Sequence, residues 1–423
     1  MKNKNKNFYS LYHDFKKCLK CGTCLSVCPI YQEGKLETES PRGKMALLES
    51  ASEGDISAAQ KFRKVILYCL GCNRCAVVCP NQIPTNFLFY KARAILAEQM
   101  GVPILQKFLF SIFFPSHRLM SISAFFGNLM GKIPLENIID KIFGETQPAI
   151  MANFFRAYSY PSFMKSFKQK NENENEKVGF FVGCMDNYFF PGSARAIVEV
   201  LENMGYQVVV PPDQSCCGAP LLSLGLFDEA RSLARNTIRA FKSQGINKII
   251  TGCATCADII KHWFPELLGK QGEDFADRIY DLVGFINQSD RPVPFSEKIK
   301  GRVLFHVPCH LGQGLGLADE AFELLDSLPG ISLVQPEGND MCCGFGGIFT
   351  FDHPEISGIL RDKRVKSILD AEPDIVVTAC PACRWQIDEG LKKAGSALRT
   401  IHLADLLVKK SSVPEGKSTG YDE

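Results

Sequence analysis

Beyond residue 178 the chain alternates short apolar runs with amphipathic stretches, and it does so twice. Each copy opens on an apolar run that ends in cysteine, "VGFFVGC" to Cys184 and "VLFHVPC" to Cys309. The first continues into "SARAIVEVLENMG", where Ala194, Ile197, Val198, Leu201 and Met204 recur at helical spacing and Gly205 supplies a C-terminal stop. Its counterpart is "ADEAFELLDSLPG". A second strand-like run then leads into paired cysteines, "YQVVVPPDQSCC" and "ISLVQPEGNDMCC", and a further helix leads into a third, "NKIITGCATC" and "DIVVTACPAC". Cys184 and Cys309 are 125 positions apart, Cys253 and Cys380 127, so the copies keep register.

Strands that alternate with helices predict parallel α/β units, in which the loops at the carboxyl ends of the strands gather functional groups. Every cysteine of the repeat falls at such an end. The N-terminal third lacks this alternation and reads as helical, with helices expected over "GKMALLESA" and "SAAQKFRKVILYC". The predicted fold is therefore α/β, with a mostly helical N-terminal domain over 1–95. A Phe-rich helical connector and linker follow over 96–170, then parallel units over 178–290 and 300–410, and a tail over 411–423. The polar run "KQKNENENEK" (168–177) cannot bury apolar area and marks the boundary before the repeat. Apolar residues crowd the stretch from Phe87 to Phe167, which predicts core helices joining the two halves, with docking on a membrane surface or partner subunit as the other reading. Its uncharged run "LMSISAFFGNLMG" has 13 residues, short of the roughly 18 to 20 that cross a bilayer.

Among 423 residues with a formal charge of +2, no global field recruits nucleic acid or anionic membrane. Eighteen cysteines change the picture. The opening "MKNKNKNFYSLYHDFKKC" has no apolar core of a secretory signal, so the expected compartment is the cytoplasm, with peripheral attachment to the inner face of the membrane as a variant. In that compartment cysteines serve metals or redox chemistry rather than structural disulfides.

Eight of them form two runs, "CLKCGTCLSVCP" and "CLGCNRCAVVCP". Both fit C-x2-C-x2-C-x3-C-P, in which three close thiolates wrap one cubane and the fourth ligates the other. Cys18, Cys21, Cys24 and Cys79 are then expected to hold one [4Fe-4S] cluster, and Cys69, Cys72, Cys75 and Cys28 the second. Zinc also takes C-x2-C pairs, but the duplicated run of four with a following proline argues against it here. Lys16, Lys17, Lys20 and Arg74 read first as a solvated basic face, and otherwise as groups that tune cluster potentials or steer an acidic partner.

The remaining ten are Cys184, Cys216, Cys217, Cys253 and Cys256 in the first unit, and Cys309, Cys342, Cys343, Cys380 and Cys383 in the second. Neighbouring cysteines make poor disulfides, since a trans peptide sets their Cα atoms about 3.8 Å apart whereas disulfides span roughly 4.4 to 6.8 Å. Adjacent thiolates more readily grip a shared metal. Iron–sulfur clusters, zinc in one unit, and a metal-free dithiol switch at Cys253/Cys256 or Cys380/Cys383 all remain open on this reading.

"PRGK" (41–44), "CCGAP", "CCGFGG" and "PCHLGQG" (308–314), set among these cysteines, resemble the iron–sulfur subunits of glycolate and D-lactate oxidases and the related heterodisulfide reductases. The resemblance implies a helical ferredoxin module with two [4Fe-4S] cubanes, followed by tandem cysteine-rich CCG domains. It further implies that the five thiolates of each complete CCG set bind a noncubane [4Fe-4S] cluster, giving one or two more centres. Many glycolate oxidase subunits have lost ligands from one copy. Both sets are complete here, which brings the chain nearer the fused heterodisulfide reductase subunit.

The implied role is an electron-transfer subunit, taking electrons from a separate FAD-containing 2-hydroxyacid dehydrogenase and passing them to a quinone, membrane-associated or other acceptor. The runner-up is a disulfide reductase whose CCG clusters are the catalytic site. A zinc-bound scaffold or redox sensor stands as a third reading. No flavin or nicotinamide motif is visible; Gly344, Gly346 and Gly347 do not form G-x-G-x-x-G and fit instead a close backbone approach to a cluster. His306 and His310 flank Cys309, and His310 is the candidate catalytic residue, placed to deliver a proton.

Overall fold

A computed structural model describes residues 6–56, 59–113, 161–169, 175–293, 300–336 and 341–408, with scattered positions between 116 and 158 and residue 295. Most of "LMSISAFFGNLMG", the centre of the polar linker, residues 337–340 and the tail over 411–423 lie outside the described residues.

Each cysteine-rich unit is one parallel four-stranded sheet. Strands β1 (Glu176–Phe180), β2 (Tyr206–Val209), β3 (Ile249–Thr251) and β4 (Ile279–Asp281) pair in the order β2-β1-β3-β4. Strands β5 (Gly301–His306), β6 (Ile331–Leu333), β7 (Ile375–Thr378) and β8 (Thr400–His402) pair in the same order, β6-β5-β7-β8. The repeat seen in the sequence is thus a repeat of topology. Val178, Phe180, Val303, Leu304 and Phe305 are fully buried, as parallel strands covered on both faces require. The fourth strand of each sheet was not expected: at three residues it is too short to show a period.

The helical stripe on Pro191–Asn203 faces inward as predicted, with Ala194, Ile197, Val198 and Leu201 buried. Gly205 takes φ +82° and its N–H bonds Glu202 O at 2.9 Å, which ends the helix. The N-terminal module is helical, with Pro41–Glu53 capped by Ser40, whose hydroxyl accepts from Gly43 N at 2.9 Å. Its helix Thr85–Met100 runs through residue 95, so module and connector share an element.

One apolar core runs through both sheets, and the N-terminal module has its own around Phe15, Leu48, Ile66 and Phe89. The halves are bolted together by polar contacts. The Arg93 guanidinium donates to Cys69 O at 2.8 Å and Ser223 O at 3.3 Å, tying the N-terminal module to the first unit. Lys363 reaches Glu33 at 2.6 Å, tying it to the second. The two units meet where Ala254 N donates to Ala379 O, and where Arg384 donates to Ser193 Oγ at 2.8 Å and lies over the Phe190 ring. Described residues of the Phe-rich stretch fill part of this seam: Met120, Phe154 and Tyr158 pack with Phe189, Phe351 and Trp385. Ile104, Leu105, Phe108 and Ile112 of the same stretch stay exposed. Among the described residues no helix is long and apolar enough to cross a membrane.

Candidate metal centres

In the N-terminal module the cysteines converge from three directions. Short helices Thr23–Val27 and Arg74–Val77 start from left-handed residues, Gly22 at φ +88° and Asn73 at φ +63°, and these tight turns fold the cysteine runs back on themselves. One hollow is lined by Cys18, Cys21, Cys24 and Cys79, with Pro80 and Arg42 at its edge. A second is lined by Cys28, Cys69, Cys72 and Cys75, with Lys44 and Arg74. Each run therefore lends its fourth cysteine to the other hollow, and Cys75 borders both. Cys21 is exposed, and its bond to Thr23 Oγ1 holds the thiol below its ordinary range. Burial pushes Cys24 up to about 11, and burial with the charge of Cys342 pushes Cys72 to about 12.

"PRGK" divides its two cations between the hollows. Arg42 donates to Glu37 and to Lys20 O beside the first. Lys44 is 2 % exposed beside the second and donates to the carbonyls of Tyr68 and Glu39. Gly43 between them carries no side chain because a Cβ would fall on Glu37 O. Of the expected basic face, Lys16 and Lys20 do pair with Glu49 in solvent, and Lys17 with Asp14. Arg74 departs from that expectation: it is 9 % exposed and its charge acts on Cys72, Cys342 and His306.

The second hollow abuts the second cysteine-rich unit. Ile30 and Leu70 from the module pack with Cys342, Phe349, Ile356 and Leu360. Gly346 makes this seat possible, since a Cβ there would lie 2.6 Å from Leu70 Cδ2. Cys72 lies close enough to Cys309 and Cys342 for its charge to act on both. Of the three positive-φ glycines after the cysteine pair, Gly346 lets a backbone approach another domain beside the thiols, Gly344 packs against Ser357 and Leu360 of its own unit, and Gly347 has open space around it.

Within each unit the five thiols meet at the carboxyl edge of the sheet. Cys184 reaches Cys216, Cys217 reaches Cys216 and Cys256, and Cys256 reaches Cys253. In the second unit Cys309 reaches Cys342, Cys342 reaches Cys343, Cys343 lies 3.3 Å from Cys383, and Cys383 reaches Cys380. The chains of thiols join, because Cys253 also reaches Cys380. Bonds to the neighbouring thiol, and burial after them, hold Cys184, Cys217, Cys256, Cys309, Cys343 and Cys383 well above the ordinary range. Donation from Cys309 and Cys253 holds Cys342 and Cys380 well below it. Five such groups could ionise together here only against a large positive charge, which a metal centre provides and a metal-free dithiol does not. All eighteen cysteines are free. The donor set fits iron–sulfur clusters, and the soft thiolates alone do not exclude zinc.

His310 lies in the wide-turn helix His310–Gly314 and gives its Nδ1 to Asp258 Oδ2 at 2.6 Å. Asp258 comes from the first unit and also binds His262 Nδ1 at 2.8 Å. Burial works against the carboxylate, but the two imidazole hydrogen bonds and charges outweigh it and hold Asp258 at about 2. Burial likewise opposes the His310 cation, and the Asp258 bond and charge win and raise it. His310 therefore clamps the two units together beside Cys309. Asp258, which sequence reasoning passed over, is the centre of that clamp; it carries no pattern of its own. Gly314 is small because a Cβ would meet Asp258 Oδ1. His306, also unassigned, is 1 % exposed at the end of β5, and burial pushes it down to about 3.

Comparison with known proteins agrees with this arrangement. The 4Fe-4S dicluster domain family matches residues 14–83, and the cysteine-rich domain family (CCG) matches twice, over 178–261 and 303–388. The probable glycolate oxidase iron-sulfur subunit of Bacillus subtilis is 28% identical over 418 residues, covering 93% of each chain. One of the subunits of the fumarate reductase (CoM/CoB) of Methanothermobacter marburgensis is 29% identical over 410 residues, 94% of this chain and 73% of that one. Lactate utilization protein A 2 of Bacillus cereus is 28% identical over 239 residues, 55% of this chain and 98% of that one.

Proposed function

The chain belongs to the iron–sulfur subunits of oxidoreductases that join a 4Fe-4S dicluster domain to a tandem pair of CCG domains, and on that premise we propose that it carries electrons from a separate FAD-containing dehydrogenase of a 2-hydroxy acid, such as glycolate or D-lactate, to a quinone or other acceptor. The observation that carries the reading is the unbroken series of thiol groups. Cys75 borders both hollows of the N-terminal module, Cys72 neighbours Cys309 and Cys342, and Cys380 neighbours Cys253. Four groups of thiols thus stand in line, with Cys18, Cys21, Cys24 and Cys79 at one end and the five of the first unit at the other.

Iron–sulfur clusters supply one-electron redox chemistry when bound. We assign Cys18, Cys21, Cys24 and Cys79 to one cubane and Cys28, Cys69, Cys72 and Cys75 to the second, with a [4Fe-4S] centre in each CCG set. The protein's own part is to hold these groups in register and out of water. Lys44 and Arg74 place buried positive charge where the second cubane would add negative charge, Lys363 and the Leu70 seat fix the distance to the second unit, and Arg93 ties the module to the first. The Asp258–His310 clamp does the same across the units. Exposed Cys21 marks the edge nearest a soluble donor or acceptor.

A second reading is supported by the completeness of both five-thiol sets and by the likeness to a component of the CoM/CoB fumarate reductase: a disulfide substrate reduced at a CCG centre. Anaerobically purified chain separates the two. Bleaching of its visible absorption by glycolate or D-lactate only when the flavoprotein is added supports the first. Turnover of a disulfide by the chain alone with a reduced one-electron dye replaces it with the second.

A further inference from the structure

The two cysteine-rich units share a topology and a thiol count, but they differ at one inward position. Three residues before the first cysteine of each set stand Phe181 and His306. His306 ends β5, where its register with Thr378 and the bond from Thr378 Oγ1 to its carbonyl at 3.1 Å fix its backbone. Its side chain is buried, and its Nδ1 has no hydrogen-bond partner. An unmet nitrogen of this kind bears its desolvation cost uncompensated, so a buried imidazole in this state points to an acceptor of its lone pair. One ring nitrogen of His306, Cys343 Sγ and Cys383 Sγ all lie within 4.8 Å of one another, and all three residues are buried. Zinc binds sulfur at about 2.3 Å and imidazole nitrogen at about 2.0–2.1 Å, and an ion of similar size placed among these atoms reaches all three after a small contraction.

We propose that His306 is a ligand of the second cysteine-rich centre, giving an imidazole nitrogen to the iron that Cys343 and Cys383 hold. The proposal rests on the iron–sulfur reading above. It makes the two centres chemically unequal: the first, with Phe181 in this place, has thiolates alone, whereas the second includes a neutral nitrogen donor. Where the imidazole takes an iron position that one of the five thiolates would otherwise fill, a neutral donor stands in for a negative one and the reduction potential rises, as in [2Fe–2S] centres with two histidines. Buried Arg74 and Arg364, whose charges act on His306, push in the same direction. The second unit, which touches both the cubane module and the first unit, is then the more oxidising of the pair and the place where an electron rests.

The test uses the full chain, purified anaerobically after labelling with ¹⁵N-histidine. Iron, sulfide and zinc are counted, and each paramagnetic centre is examined by pulsed electron paramagnetic resonance during a dithionite titration. The expected result is a ¹⁵N coupling of the size of direct iron–imidazole bonding on one centre. It is lost in His306→Phe, which copies the first unit, while the iron count is retained and the potential of that centre falls. Absence of the coupling in iron-replete wild-type protein overturns the proposal and leaves the electron-transfer reading standing, and that measurement needs no variant to fold. A coupling that survives in His306→Phe overturns it too, as does one equivalent of zinc that leaves with the substitution. Protein without iron overturns both.

Discussion

Substituting Gly346 by alanine should loosen the joint between the cubane module and the second cysteine-rich unit. Gly346 sits at φ +57°, where an L side chain costs about 1–2 kcal/mol. A Cβ there would stand 2.6 Å from Leu70 Cδ2 and 2.9 Å from Phe349 Cβ, and overfilling of this kind costs typically 1–3 kcal/mol. The backbone cost persists whether or not the domains dock, so only the overfilling, about 1–3 kcal/mol, counts here, and it would multiply the undocked population some 5- to 150-fold. Gly347→Ala is the internal control: its φ is +64°, yet nothing lies within 4 Å of its Cβ, so it bears the backbone cost alone. Rapid-freeze paramagnetic resonance after mixing with substoichiometric reductant reads the result. In Gly346→Ala the cubanes should reduce normally and pass electrons onward slowly, with the iron count unchanged; Gly347→Ala should lie near wild type. Adding Leu70→Ala removes the clashing Cδ2 and should recover part of the loss, a non-additivity that neighbouring residues show. Equal effects of the two glycine substitutions, or no recovery with Leu70→Ala, would show that the Leu70 contact does not set the docking.

Three further outcomes follow from single residues. Lys44→Met removes a buried cation from the second hollow, so the midpoint potential of one cubane should fall while the other, beside Arg42, stays in place; redox titration followed by paramagnetic resonance checks it. Burial raises the Asp281 carboxyl from 3.8 to about 7. A folded value above the unfolded one gives stability that is full below about pH 4 and lost as pH rises through 7, on the order of 4 kcal/mol in all. Asp281→Asn keeps an N-cap for the helix Leu282–Asn287 and should flatten this dependence in anaerobic denaturant titrations between pH 5 and 8. Exposed Cys21 makes the first hollow the most accessible to oxidants, so brief exposure to air should remove the signal of one cubane before any other is touched.

Much of this was legible in the sequence. The runs ending at Cys184 and Cys309 and the helical stripe of Ala194 to Met204 foretold both sheets, because continuous apolar strands and a 3.6-residue period are strong local signals. The crossing of Cys28 and Cys79 between hollows followed from ligand spacing. What stayed hidden depends on contacts between distant segments. β4 and β8 are three residues each and take their identity from a neighbouring strand. Asp258 and Leu70 look ordinary until two domains meet. Arg74 reads as one more surface cation in "CNRC", and the structure buries it beside the second hollow. His306 was overshadowed by His310 because adjacency to Cys309 in sequence is easier to see than adjacency to Cys343 and Cys383 in space.

Whether all four groups of cysteines carry iron in one continuous series is decided by metal analysis of anaerobically purified chain. About sixteen irons and as many sulfides per chain are expected, with zinc at trace level. Eight irons accompanied by one or two zincs would confine electron transfer to the N-terminal module and contradict the continuous series.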